Sequence, residues 1–70
     1  IKTEAVEILN AEIAKLPPLY KTLITLYHLE ELPNKEISEI TNLPEGTIKS
    51  YLYRARKILK DNINQHYKNE

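Results

Sequence analysis

Basic side chains are concentrated in one segment near the end of the chain, and that segment contains no carboxylate. Residues 46–60 lack aspartate and glutamate but include five basic residues: Lys49, Arg54, Arg56, Lys57 and Lys60. Ammonium and guanidinium groups bind phosphate oxygens, and nearby hydroxyl groups can hydrogen-bond to phosphates or to base edges. The segment therefore favours recognition of a polyanion rather than catalysis.

Residues that could catalyse a reaction or hold a metal are few. His28 and His66 lie far apart in the sequence and there is no cysteine, whereas a metal site needs three or four converging ligands. The adjacent carboxylates Glu30 and Glu31 fall at the predicted end of a helix, and a small helical domain offers little cleft in which to tune them. No cofactor-binding motif occurs. We therefore expect a protein that is not an enzyme, with no catalytic residue, no metal and no cofactor.

The net charge hides the basic segment. The 70 residues include 10 Lys and Arg and 10 Asp and Glu, so the formal charge is zero. Residues 1–45 contain four basic and eight acidic residues, whereas residues 46–70 contain six basic and two acidic ones. The helix dipole by itself favours basic residues near the C-terminus of a solvent-exposed helix. A basic run without any acid that follows a tight turn between two helices favours DNA binding instead.

Four prolines and a single glycine divide the chain into helical segments. Apolar residues recur at spacings of three and four within each segment, which is the helical period. We expect one all-α domain over residues 1–70, with helices at about 3–15, 18–31, 35–41 and 46–63, no wing, and a fraying tail from Asn64. Since the chain begins with Ile1 rather than methionine, we expect a fragment of a longer protein or a processed chain. No apolar stretch is long enough for a membrane span, so no membrane partner is expected.

Several residues have the types that begin or end helices. Thr3 is expected to cap the first helix, and Pro18 suits the first position of the second. Asn34 is expected to cap the third helix, and Asn42 to end it in the left-handed conformation. The helical period also predicts which side chains face inward. They are Val6, Leu9, Ile13 and Leu16 in the first helix; Leu19, Leu23, Leu26 and Tyr27 in the second, with Ile24 at the edge; Ile37 and Ile40 in the third; and Ile48, Leu52, Ala55 and Leu59 in the fourth.

The third and fourth segments, with the tight turn between them, have the pattern of a helix-turn-helix. Ile37, Leu43 and Ile48 are six and five residues apart, the spacing at which one residue from each part of the motif meets in a small core. At about 100° per residue, the face opposite the apolar stripe of the fourth helix carries Gly46, Ser50, Tyr53 and Lys57. Tyr51 is expected at the edge of the core, and Arg56 on a flank, paired with a glutamate or with DNA.

Four stretches resemble region 4 of bacterial sigma factors of the extracytoplasmic-function (ECF) type. They are residues 16–21 (LPPLYK), 35–40 (KEISEI), 43–50 (LPEGTIKS) and 52–59 (LYRARKIL). The resemblance extends from about Glu4 to Asn62. The sequence departs from the family pattern at Ser38, where a small Ala is usual, at Asn42, where Gly is usual, and at Tyr51, where Arg is frequent.

The resemblance implies a bacterial cytoplasmic protein that binds the −35 promoter element of double-stranded DNA during transcription initiation. It also implies contact with the β-flap of core RNA polymerase and control by an anti-sigma factor. By position, Gly46 and Thr47 would meet a phosphate at the helix N-terminus. The remaining candidates for DNA contact are Lys49, Ser50, Tyr53, Arg54 and Lys57.

Two alternative functions remain open at the level of sequence. The helix-turn-helix output domain of a response-regulator transcription factor has similar spacing, although the Leu-Pro-Pro and Arg-Ala-Arg elements favour the sigma factor. A helical protein–protein adaptor is the second alternative, but an exposed apolar stripe would then be expected where the last helix is basic.

Overall fold

The last helix is the element against which the others pack. The computed structural model describes residues 3–68. Its α-helices are α1 (Glu4–Lys15), α2 (Pro18–Ile24), α3 (Asn34–Thr41) and α4 (Glu45–Lys68), and α1, α2 and α3 all contact α4. The described residues contain no β-strand, which confirms the prediction of an all-α domain with four helices.

One face of α4 forms the centre of the core. Ile48, Leu52, Ala55 and Leu59 are buried, as their spacing predicts. The other helices cover this stripe with Leu16, Leu23, Ile24 and Ile37. Burying one such large aliphatic side chain stabilises the fold by about 1.5–3 kcal/mol, so this short list supplies much of the hydrophobic stabilisation of a 70-residue chain.

Three of the four predicted helix ends are confirmed. The Thr3 hydroxyl accepts a hydrogen bond from the Val6 N–H at 3.2 Å, Pro18 is the first residue of α2, and Asn42 ends α3 with a φ of 61°. The prediction for Asn34 was wrong. The helix begins one residue earlier, because the Pro33 carbonyl accepts a hydrogen bond from the Ile37 N–H at 3.1 Å and Pro33 is the cap.

The second predicted helix does not continue as an α-helix to Glu31. It changes after Ile24 into a π-helical turn, Thr25–Leu29, and the Glu30 N–H donates to the Thr25 carbonyl, five residues back, at 3.0 Å. Glu31 then takes a left-handed conformation with a φ of 56°. A π-helical turn holds one more residue than an α-helical turn, so it shifts which side chains face the core.

Several apolar residues were assigned to the wrong environment. Ile40, predicted to point inward, is 61% exposed, and Val6, Leu9 and Leu19 are each about 40% exposed. Conversely, Ile24 is 2% exposed rather than at the edge. The physical reason is the small size of the domain: three short helices cover α4, and within residues 3–68 no further element covers their own outer faces.

The predicted fraying from Asn64 onward was also wrong for the residues that the structure describes. Helix α4 continues to Lys68, while residues 69–70 lie outside the described part. Ile63 packs against the core, and the His66 Nε2 lies 2.9 Å from the Glu12 carboxylate of α1. Since an ionised carboxylate only accepts hydrogen bonds, His66 is the donor.

Glu12 is the buried acid of the core, with an exposure of 4%. Its carboxylate also accepts a hydrogen bond from the Lys15 ammonium at 3.1 Å. The hydrogen bond from His66 and then that from Lys15 lower the pKa of Glu12 below its ordinary value. The ionised Glu12 therefore joins α1 to the last turns of α4.

None of the helices within residues 3–68 has both the length and the apolar character needed to cross a membrane.

Glu12 makes the stability of the domain depend on pH. A carboxyl group whose pKa is lowered by folding stabilises the fold above its ordinary pKa, here 4.5, and loses that effect as the pH falls through the folded value. We expect Glu12→Gln to lower the free energy of unfolding at neutral pH and to flatten its decline in acid. Urea denaturation between neutral pH and acid measures both. Glu39→Gln, which removes an exposed carboxylate, is the matched control, and equal pH profiles for the two variants would contradict the assignment.

Candidate nucleic-acid interface

The three residues predicted to hold the helix-turn-helix together do so. Ile37 of α3 and Ile48 of α4 are fully buried, and Leu43 in the turn packs against the same core. The orientation of α4 relative to α3 is therefore fixed by apolar contacts on the inner side of the turn.

Hydrogen bonds from hydroxyl groups tie the turn to α3. The Ser38 hydroxyl donates to the Leu43 carbonyl. The Thr41 hydroxyl donates to the Ile37 carbonyl within α3 at 2.7 Å and accepts from the Leu43 N–H of the turn at 3.4 Å. The Asn42 N–H donates to the Ser38 carbonyl at 2.8 Å. Ser38 and Asn42, two departures from the family pattern, thus fit the motif, since asparagine tolerates the left-handed conformation. Sequence reasoning missed the roles of both hydroxyls; Ser and Thr close to a helix C-terminus were the available signal.

The first turn of α4 presents backbone donors to solvent. The Pro44 carbonyl accepts from the Ile48 N–H at 3.1 Å, so the N–H groups that precede Ile48 at the start of α4 lack acceptors within the helix. Gly46 is exposed, and a Cβ there would meet no atom within 4 Å. Thr47 is half-buried. This end of α4 has the open backbone and the positive dipole that suit a phosphate.

The exposed face of α4 carries the predicted contact residues on a single helix. Lys49, Ser50, Arg54 and Lys57 are exposed, and Tyr53 is 67% exposed. Together with Gly46 and Thr47 they lie opposite or beside the buried stripe of α4. The structure therefore brings all seven candidate residues onto one accessible surface, which we call the basic face.

Arg56 lies on the flank of this surface, next to Tyr53 and Lys57, and also contacts the π-helical turn. Its Nε donates a hydrogen bond to His28 Nε2 at 3.2 Å, and its guanidinium carbon lies 5.4 Å from the centre of the Tyr27 ring. Burial, and secondarily the charge of Arg56, lower the pKa of His28. The lowered pKa favours the neutral imidazole, which can accept this hydrogen bond. Arg56 was expected on a flank with a glutamate or DNA; its partner is a histidine of the π-helical turn.

A groove of apolar side chains lies between α1, the π-helical turn and α4. We call it the apolar groove; its lining includes Leu9, Ile13, Leu29 and Leu59, and His28 and Arg56 also border it. Leu29 is 62% exposed. Exposed leucines beside a groove mark a surface suited to a protein partner.

A short helix, a tight left-handed turn and an exposed basic helix define a helix-turn-helix domain of the kind that reads DNA. A family model described as "Sigma-70, region 4" matches residues 7–59. The chain therefore belongs to the Sigma-70 region 4 family, which confirms the resemblance seen in its motifs.

Curated relatives agree with this family. Over 69 residues, or 99% of the chain, it is 41% identical to the ECF RNA polymerase sigma factor SigM of Bacillus subtilis, and it spans 42% of that protein. It is 36% identical over 63 residues to the ECF RNA polymerase sigma factor SigW of the same organism, of which it spans 34%. It is 38% identical over 63 residues to the ECF RNA polymerase sigma-E factor of Haemophilus influenzae, of which it spans 33%. The response-regulator and adaptor alternatives are not favoured by these matches.

Proposed function

We propose that this domain binds the −35 element of bacterial promoter DNA and so helps a sigma factor to direct RNA polymerase in transcription initiation. The observation that carries the proposal is the basic face of α4, which contains no acid and follows a helix-turn-helix turn in a member of the Sigma-70 region 4 family. The role is one of binding; the domain catalyses no reaction in this proposal.

The first exposed side chains of α4 would read sequence. In helix-turn-helix proteins the N-terminal residues of the second helix contact base edges in the major groove. Lys49 can donate to guanine acceptors, and the Ser50 hydroxyl can pair with several bases. Tyr53, one turn later, would touch a thymine methyl group or a phosphate.

Other residues of the basic face would hold the DNA backbone. Arg54 and Lys57 carry long cationic side chains suited to phosphates, which fix the position of a protein without reading sequence. Gly46 and Thr47 would bring the free N–H groups of the α4 N-terminus to a further phosphate. The acidic half of the chain, residues 1–45, would repel the duplex and so favour approach through α4.

The same proposal gives the apolar groove a partner. A sigma factor acts on RNA polymerase, and we infer that the β-flap of the core enzyme covers exposed Leu9 and Leu29. An anti-sigma factor that covered the groove or the basic face would hold the protein inactive. Because transcription takes place there, we also infer a location in the bacterial cytoplasm.

Binding to a mixed-sequence duplex should weaken steeply with salt. If about four phosphates are neutralised, the logarithm of the binding constant should fall with the logarithm of salt concentration with a slope of roughly −3.6. Fluorescence anisotropy at several salt concentrations measures the slope. Lys57→Ala should reduce its magnitude by about one, while Lys21→Ala, an exposed lysine of α2, should leave it unchanged. A flat salt response would contradict DNA binding.

Base-reading and phosphate-binding residues should differ in their effect on sequence preference. We expect Lys49→Ala to cost about 1–3 kcal/mol at preferred sites and to change their ranking. Arg54→Ala should weaken binding to all sites by a similar factor, since a phosphate contact carries no sequence information. Selection from a pool of duplexes with a randomised segment, followed by sequencing, compares the two. A uniform loss for Lys49→Ala would remove it from base readout.

The polymerase contact can be tested with two equally exposed apolar residues. Leu29 borders the apolar groove and is 62% exposed, whereas Ile40 lies on α3 and is 61% exposed. Leu29→Glu should weaken binding to core RNA polymerase by about tenfold, because it puts a charge in an apolar contact. Ile40→Glu is the matched control and should have little effect in the same pull-down and titration. Equal losses, or none for Leu29→Glu, would overturn this part of the proposal.

A further inference from the structure

Two aromatic rings and one arginine form a connected series at the margin of the basic face. The Tyr51 ring is half-buried, and its centre lies 5.5 Å from that of Tyr20 at an interplanar angle of 56°. The guanidinium carbon of Arg54, one turn further along α4, lies 5.7 Å from the centre of the Tyr51 ring. Arg54 itself is exposed.

We propose that Tyr51 is a positioning residue for DNA binding, which holds the Arg54 guanidinium in place for a phosphate of the duplex. This inference rests on the proposed function, because it requires Arg54 to contact DNA. Tyr20 of α2 contacts the Tyr51 ring. It therefore helps to hold the ring on which Arg54 stacks.

Geometry explains how a ring can help an arginine without competing with DNA. Stacking on an aromatic ring uses the flat face of the guanidinium, whereas hydrogen bonds to phosphate use the N–H groups around its edge. Both contacts can therefore exist together. A long side chain that is already held loses less rotamer entropy when it binds, and the affinity rises accordingly.

Arg56, two residues along the same helix, provides the contrast. Its guanidinium carbon lies 5.4 Å from the Tyr27 ring centre, a stacking distance similar to that of Arg54. However, the Arg56 Nε already donates to His28, so one edge of that arginine is used within the protein. The side-chain hydrogen bonds and ion pairs within residues 3–68 give Arg54 no such acceptor. Of these two stacked arginines, Arg54 is therefore the one whose guanidinium has no side-chain acceptor within residues 3–68.

A double-mutant cycle tests the inference with the 70-residue chain and a mixed-sequence duplex at low salt. Tyr51→Leu should weaken binding about two- to fivefold when Arg54 is present, the size expected for an exposed cation–π contact. It should cause no further loss in the Arg54→Ala background. Tyr51→Phe keeps the ring and should bind like the unchanged chain.

Matched variants separate positioning from folding. Tyr27→Leu removes the ring on which Arg56 stacks. Any effect of this variant on DNA affinity should be the same with Arg54 present as in the Arg54→Ala background. Thermal unfolding of each variant gives the fraction folded. If Tyr51→Leu fails to fold, Tyr51→Met takes its place, because the flexible methionine side chain fills the space without a ring.

The possible outcomes are distinct. Equal losses from Tyr51→Leu with and without Arg54, or tighter binding by Tyr51→Leu, would overturn the inference. If Arg54→Ala binds like the unchanged chain while Lys57→Ala binds more weakly, the inference fails and the proposed function stands. If the unchanged chain binds no duplex at all, the proposed function itself fails.

Discussion

The fold is held together by the burial of one apolar stripe on α4. Ile48, Leu52, Ala55 and Leu59 hold three short helices to one long one. One side of α4 packs in the core, and its opposite side faces solvent. The basic face is thus the outer surface of the helix against which the others pack.

The contacts of Arg54 and Arg56, the two arginines of α4, differ within the protein. Arg56 donates one hydrogen bond to His28 and stacks on Tyr27 of the π-helical turn, whereas Arg54 stacks on Tyr51 and makes no side-chain hydrogen bond within residues 3–68. Side chains two residues apart on a helix point in different directions, so neighbours in an Arg-Ala-Arg run have different environments. A count of basic residues would not separate them.

Helices α1 and α4 are linked by a different kind of contact. Glu12 is buried with its charge and is stabilised by His66 and Lys15. A carboxylate removed from water needs such partners. This contact lies beyond the apolar stripe of α4, so a polar interaction adds to the packing that holds α1 against α4.

Local rules were sufficient wherever a feature depends on near neighbours in sequence. The helical period gave the buried stripe of α4 and the small core of Ile37, Leu43 and Ile48, and residue type gave the Thr3 cap and the left-handed Asn42. The exposed basic face also followed from spacing; that its seven residues contact DNA stays a prediction. Other features depend on contacts between residues that are distant in sequence. The exposure of Ile40, the π-helical turn, the partner of Arg56 and the burial of Glu12 against His66 arise from which helix lies against which. A periodic pattern marks the side of a helix that is apolar, but in a domain of this size it cannot tell whether another element is there to cover it.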